Sequence, residues 1–256
     1  MLMNPLHHQR GVTLVELMVG LTVGLIVIGV VGSLFLTTMG GSNDSLRSMK
    51  LNQELRTAMD YMAADIRRAG YWSGAAAANN PAANPYMVRT GTATDVFVGN
   101  GCVRYSYDRD DDGTTPRFGF RLQGGVLQVP QGTALGAANG TGDGCNEGAW
   151  EDLTESSTVV IDQLTFSTQG SQCRNLNRTA GTPPAPVTWE APDDSTTPAC
   201  ADTTATGYAA PTAGDQLVET RQITIRLVGH HARDANTTLA IEESIRLPNN
   251  RVLSAP

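Results

Sequence analysis

Positive charge, aromatic side chains and catalytic motifs are all scarce in this 256-residue chain. Its formal net charge is −7, so it lacks the basic excess that a nucleic-acid surface driven by bulk charge requires. Aromatics make up 5% of the residues, and Gly, Thr, Ala and Asn are plentiful, a composition that suggests strands joined by long polar loops. There is no G-x-S-x-G nucleophile turn, no H-E-x-x-H and no phosphate-binding glycine loop, so no enzyme activity is expected. The four cysteines, Cys102, Cys145, Cys173 and Cys200, form no C-x-x-C pair, which argues against a zinc or thioredoxin-like site. The longest gap is in charge itself: residues 17–43 contain no Asp, Glu, Lys or Arg.

That uncharged run is strongly apolar to about Met39, longer than the ~20 residues a helix needs to cross a bilayer. A secretory signal would have a shorter apolar stretch, roughly 7–15 residues, ending in a small-residue cleavage site. The run therefore reads as a helix that stays in the membrane. Arg10, with His7 and His8 nearby, precedes it and Asp44 follows, so the N-terminus is expected in the cytoplasm and the rest outside.

One carboxylate, Glu16, sits at the start of this run. An acidic group at the middle of a membrane helix costs on the order of 2.5–3.5 kcal/mol and usually marks function. Its setting is Arg10-Gly11-Val12-Thr13-Leu14-Val15-Glu16, basic-Gly-x-x-x-x-Glu directly on a membrane-length helix. This resembles the class III signal of type IV pilins and pseudopilins, although most relatives have Phe where Val12 stands. The resemblance implies cleavage after Gly11 by a prepilin peptidase and N-methyltransferase, and N-methylation of Val12. It also implies that Glu16 of one subunit pairs with the Val12 amine of a neighbour, a pair worth far more in low dielectric than in water.

Gly20 and Gly24 form a G-x-x-x-G that suits close helix packing in lipid. Gly40-Gly41-Ser42-Asn43 is expected to be a soft point. From 44 to 69 a helical pattern resumes: Leu51, Leu55, Ala58, Met62, Ile66 and Ala69 make one apolar stripe, and Gly70 stops it. The stripe should lie on a sheet, because it spans too few heptads for a coiled coil. Strands are expected at 95–98, 103–107, 118–122, 126–129, 159–167, 222–228 and 239–247, with Gly124-Gly125 as a hairpin turn. The intervals 73–94, 131–147 and 169–215 read as loops. A helix followed by antiparallel strands is an α+β pattern.

Export places the cysteines in an oxidising compartment, where an even number favours disulfides. Three pairings are possible. Cys102–Cys145 and Cys173–Cys200 are expected, because each would staple one Gly- or Pro-rich excursion. Asp108, Asp110 and Asp112, followed by Gly113, match the start of an EF-hand calcium loop, but Gly119 stands where the closing Glu belongs. An acidic hairpin turn is the preferred reading and a calcium site the alternative; no other cofactor or metal is expected. His230 and His231 are adjacent on a strand, so they point to opposite faces and do not share a metal.

Beyond the leader, "DIRRAGYW" at 65–72 and the order of the later strands resemble PilW-type minor pilins, and Ser33 stands where major pilins often carry Pro. The resemblance implies a type IV pilin fold divided into a leader (1–11), a membrane and assembly helix (12–39), an amphipathic helix (40–72) and a periplasmic β-rich domain (73–256). It implies a subunit that joins other minor pilins and the major pilin in an inner-membrane complex that primes pilus assembly and ends at the tip. A J-type pseudopilin of type II secretion shares the same leader and layout. A membrane-tethered periplasmic enzyme or binding module is the third reading, and it needs neither the cleavable leader nor Glu16.

Overall fold

The computed structural model describes residues 11–76, 83–88, 95–99, 101–131, 145, 148–177, 188–190, 200 and 211–254. The chain divides into two compact units, 1–49 and 50–256. Helix α1, Leu14–Ile66, begins in the first and ends in the second.

In the first unit α1 carries its apolar side chains fully outward: Leu14 to Phe35 are exposed with almost no exception. Among the described residues it is the one helix long and apolar enough to cross a membrane. The expected soft point at 40–43 is helical. Each glycine costs a helix interior only about 1 kcal/mol, and a helix already nucleated on both sides propagates through such a pair. Ser42 adds a hydroxyl bond back to the Thr38 carbonyl at 2.9 Å.

In the second unit the stripe expected from the sequence is the buried face of α1, with Leu55, Met62 and Ile66 fully covered and Met59 and Ala63 beside them. α1 ends at Ile66, and a turn carries the chain to Gly70, which has φ +73°. That left-handed conformation favours glycine, and a Cβ there would also force the end of the Met87 side chain, 2.3 Å away, to shift. The orphan carbonyls of this turn find side chains: Asn249 Nδ2 donates to Ala69 O at 3.1 Å and Asn84 Nδ2 to Gly70 O at 2.9 Å.

Three antiparallel sheets follow. The first has the order β1 (Phe97–Gly99), β2 (Cys102–Ser106), β3 (Arg117–Gln123), β4 (Val126–Pro130), β5 (Trp150–Asp152). Gly124 and Gly125, both at positive φ, make the two-residue turn between β3 and β4 that the sequence indicates. The second sheet places β10 (Gln222–His231) between β6 (Val159–Ser167) and β11 (Asp234–Arg246). The third runs β12 (Arg251–Ser254), β9 (Gln216–Thr220), β7 (Gln172–Asn175), β8 (Thr188–Glu190). So the interval 169–215 is not loop throughout, since β7 and β8 lie in it, and β5, β9 and β12 add strands that periodicity does not reveal. The interval 131–147 lies mostly outside the described residues.

The core joins α1 to the first two sheets through Val103, Tyr105, Phe120, Leu127, Ile161, Leu164, Ile225 and Leu227. Asp65 anchors the helix to β2. It accepts the hydroxyl of the fully buried Tyr105, and that of Tyr107 at 3.0 Å. Burial, followed by the Asp65 carboxylate, pushes the Tyr105 phenol well above its ordinary value and raises that of Tyr107. A second buried cluster is ionic: Arg221 pairs with Asp95, and Arg251 reaches Asp95 at 3.5 Å and Glu219 at 3.6 Å. Disulfides join Cys102 to Cys145 and Cys173 to Cys200, the pairing expected from the sequence.

Candidate functional site: the start of the helix

The segment with a functional signature is 11–16. Gly11, Val12 and Thr13 are non-helical and exposed, and α1 begins at Leu14. Thr13 is the N-cap, because its carbonyl accepts the first intrahelical bond, from Leu17 N at 3.1 Å. Its hydroxyl oxygen accepts from Glu16 N at 3.2 Å. Glu16 Oε2 in turn accepts from Thr13 N at 3.3 Å and from the Thr13 hydroxyl at 3.2 Å. This is a reciprocal capping box, which satisfies amide donors that a helix start leaves unbonded. The carboxylate also faces the positive end of the helix dipole.

The box answers part of the problem raised by Glu16. Its charge is held first by its own chain. Both bonds fall on Oε2, and among the described residues Oε1 meets no partner. Thr13 is a residue that the motif reading passed over. Its signal was present as T-x-x-E, Thr13-Leu14-Val15-Glu16, the pattern of a capping box. Arg10 and the rest of the leader lie outside the described residues.

Further along the first unit, a Cβ added to Gly20 or Gly24 meets nothing within 4 Å, so within the chain both glycines face open space. Thr22, Ser33 and Thr37 bond their hydroxyls back to helix carbonyls, which leaves no unpaired hydroxyl on that apolar surface at these positions.

The other candidates are placed elsewhere and are occupied. Asp108 is buried and accepts from Ser73 N at 3.2 Å and from the Ser73 hydroxyl. Asp110 pairs with Arg109 at 3.1 Å. Asp112 accepts both the amide and the hydroxyl of Thr114, which hold its carboxyl below the usual range. The three carboxylates are thus turned to three different partners. Among the described residues no group of three His, Cys, Asp or Glu is arranged to hold a metal ion. His230 bonds Asp162 at 2.9 Å, while His231 is buried and accepts the Arg233 amide, so the two rings do different things.

A groove of about 380 Å³ lies by the end of α1, lined by Arg67, Arg68, Tyr71, Tyr107 and Arg109 among others. Its three guanidiniums are matched by carboxylates: Arg67 by Glu243 at 2.9 Å, Arg68 by Asp65 at 3.7 Å and Arg109 by Asp110. It holds neither a nucleophile beside a base nor a set of converging metal ligands.

Residues 6–32 match the family described as Prokaryotic N-terminal methylation motif, and residues 44–247 match Prepilin peptidase-dependent protein B. Comparison with curated proteins and with solved structures yields no match. The first match covers the capping box and the apolar half of α1; the second covers the helix stripe and nearly the whole sheet domain. The chain therefore belongs to the prepilin peptidase-dependent protein B family, as a type IV pilin-like minor component with a class III signal, structural rather than enzymatic.

Proposed function

We propose that this protein is a minor pilin of a type IV pilus, one of a small set of subunits whose helices gather in the inner membrane to start a filament. The observation that carries this reading is the contrast at Glu16. One carboxylate oxygen closes the helix start, and the other lies at the edge of an apolar surface with no partner among the described residues. Peptidase cleavage after Gly11 creates a cationic amine at Val12. In an assembled bundle, Glu16 Oε1 accepts from the methylated Val12 amine of an adjacent subunit. An unpaired charge in that setting is costly, so the pair favours one stagger between helices. Gly20 and Gly24 let those helices approach closely.

The working division is a leader at 1–11, an assembly helix at 12–39, an amphipathic continuation at 40–72 and a periplasmic domain at 73–256. The N-terminus stays in the cytoplasm, and the domain is carried to the tip once growth begins. Partners are the other minor pilins, the major pilin and the prepilin peptidase. The domain presents surfaces rather than a reaction.

The experiment is a deletion strain complemented with wild type or with Glu16→Ala, with pili counted and the mature N-terminus read by mass spectrometry. Wild type should restore pili and show methylated Val12. Glu16→Ala should insert into the membrane and leave pili sparse. An intact Met1 in cells that contain the peptidase refutes the pilin reading. Normal pili in the deletion together with failed protein secretion reassigns the subunit to a type II pseudopilus. Rescue by the periplasmic domain alone makes the helix a mere tether.

A further inference from the structure

We infer that Thr13 is a positioning residue for leader removal. Its bonds with Glu16 fix where α1 begins and so keep the Gly11–Val12 peptide bond in non-helical backbone that a peptidase can attack. The inference rests on the leader reading proposed above.

Hydrolysis of that bond adds water across it: the hydroxyl goes to the Gly11 carbonyl carbon and the proton to the Val12 nitrogen. The Gly11 carbonyl must therefore be free to be polarised. In an α-helix each carbonyl accepts from the amide four residues on. If α1 started farther upstream and enclosed Gly11, the Val15 amide would bond the Gly11 carbonyl, the group under attack. The structure stops the helix short of this. Thr13 is the N-cap, residues 11–13 are non-helical, and Val12 is 73% exposed.

Two features make the cap decisive rather than decorative. First, the amides of the opening turn have few other partners. Glu16 N is taken by the Thr13 hydroxyl and Thr13 N by Glu16 Oε2. Second, the helix cannot relieve a lost cap by fraying inward. From Leu14 on, its surface is apolar and bound for hydrocarbon, where unbonded peptide groups are strongly disfavoured. Relief lies in the other direction, by extension toward water through Val12 and Gly11. Gly11 is a poor helix former, so extension takes a share of the molecules and slows cleavage without blocking it.

The test uses the full-length precursor in membranes with prepilin peptidase, following the initial rate of cleavage by mass. Thr13→Ala should be cut about fivefold more slowly, the factor that corresponds to a typical N-cap loss, and Thr13→Ser should return to the wild-type rate. Glu16→Ala should slow cleavage to a similar degree. The double variant should be no slower than either single one, because both remove the same box. Backbone chemical shifts at Val12 in micelles should move toward helical values in Thr13→Ala and not in Thr13→Ser. Cleavage of Thr13→Ala at the wild-type rate, with wild type cut after Gly11, overturns this inference and leaves the leader reading standing. Additive effects of the two substitutions, or failure of Thr13→Ser to rescue, also overturn it, since the peptidase then reads the side chains directly. A wild-type precursor not cut after Gly11 removes the leader reading itself.

Discussion

The two ends of α1 obey different rules. Leu25, in the membrane half, is 62% exposed, and Leu55, in the domain half, is completely buried. Both are leucines in one unbroken helix. The domain half has its apolar stripe satisfied by the chain's own sheets, and the opposite face is polar or charged. The first half is apolar all round, and none of the described residues covers it. A helix of that kind is made for lipid or for other helices. The difference separates a surface that the chain's own fold covers from one that it leaves exposed.

The contrast is broken most sharply by paired truncations in the full-length protein in detergent. Leu55→Ala should destabilise the sheet domain by about 2–5 kcal/mol, the cost of emptying a packed core site, seen as a lowered melting temperature by circular dichroism. Leu25→Ala should leave that transition where it was. A shift of equal size would mean that the apolar half is part of the fold. Asp65→Asn comes next. It weakens the bonds that hold the helix to Tyr105 and Tyr107, and a cost of roughly 1–3 kcal/mol is expected for a buried hydroxyl left poorly matched. Hydrogen exchange should then loosen at the last turns of α1 while the apolar half is unchanged.

Alkali separates the two ends as well, because the shifted tyrosines belong to the domain. Burial, with the Asp108 carboxylate nearby, pushes the Tyr86 phenol up to about 12, and burial, with the Asp65 carboxylate, raises the Tyr105 phenol well above its ordinary value. A phenol raised in the folded state contributes stability that is fully present below its unfolded value near 10. That stability drains as pH climbs through the folded value. Thermal denaturation should therefore show falling stability between pH 10 and 12, and Tyr86→Phe should flatten the decline. The smallest effect is expected for Arg67→Ala, which removes a solvent-exposed pair with Glu243. Equilibrium unfolding should change by less than about 1 kcal/mol.

Sequence alone shows the helix stripe clearly, because Leu51, Leu55, Met62 and Ile66 repeat with the helical period over several turns. The strand β10 is legible for the same reason, with alternation sustained over its length, while β3 and β4 are legible as apolar runs on either side of Gly124-Gly125 and β6 as a long β-branched and apolar run. β9 is not. Its inward positions are Leu217 and Glu219, and a completely buried glutamate breaks the apolar alternation. Glu219 is accommodated by Arg251 from β12 and by the Cys200 amide, partners distant in sequence. β5, β7 and β12 have three or four residues each, too short for a period to emerge. At the candidate site the sequence exposes Gly11 and Glu16 through their spacing. Thr13 is legible only as the T-x-x-E pattern it makes with Glu16, and that pattern becomes a cap once the helix start is located at Leu14.

The way α1 ends has a mechanical side. Asp65 is bonded to two tyrosines on and just after β2, and the carbonyls of Ala69 and Gly70 are bonded to Asn249 and Asn84. These four bonds tie the last turn of α1 and the turn that follows it to segments of the chain far apart from one another. A pull on the helix is therefore shared among several attachments instead of resting on one. The end of the helix is thus held by the domain at several separate stretches of chain, so that losing one attachment leaves the others in place.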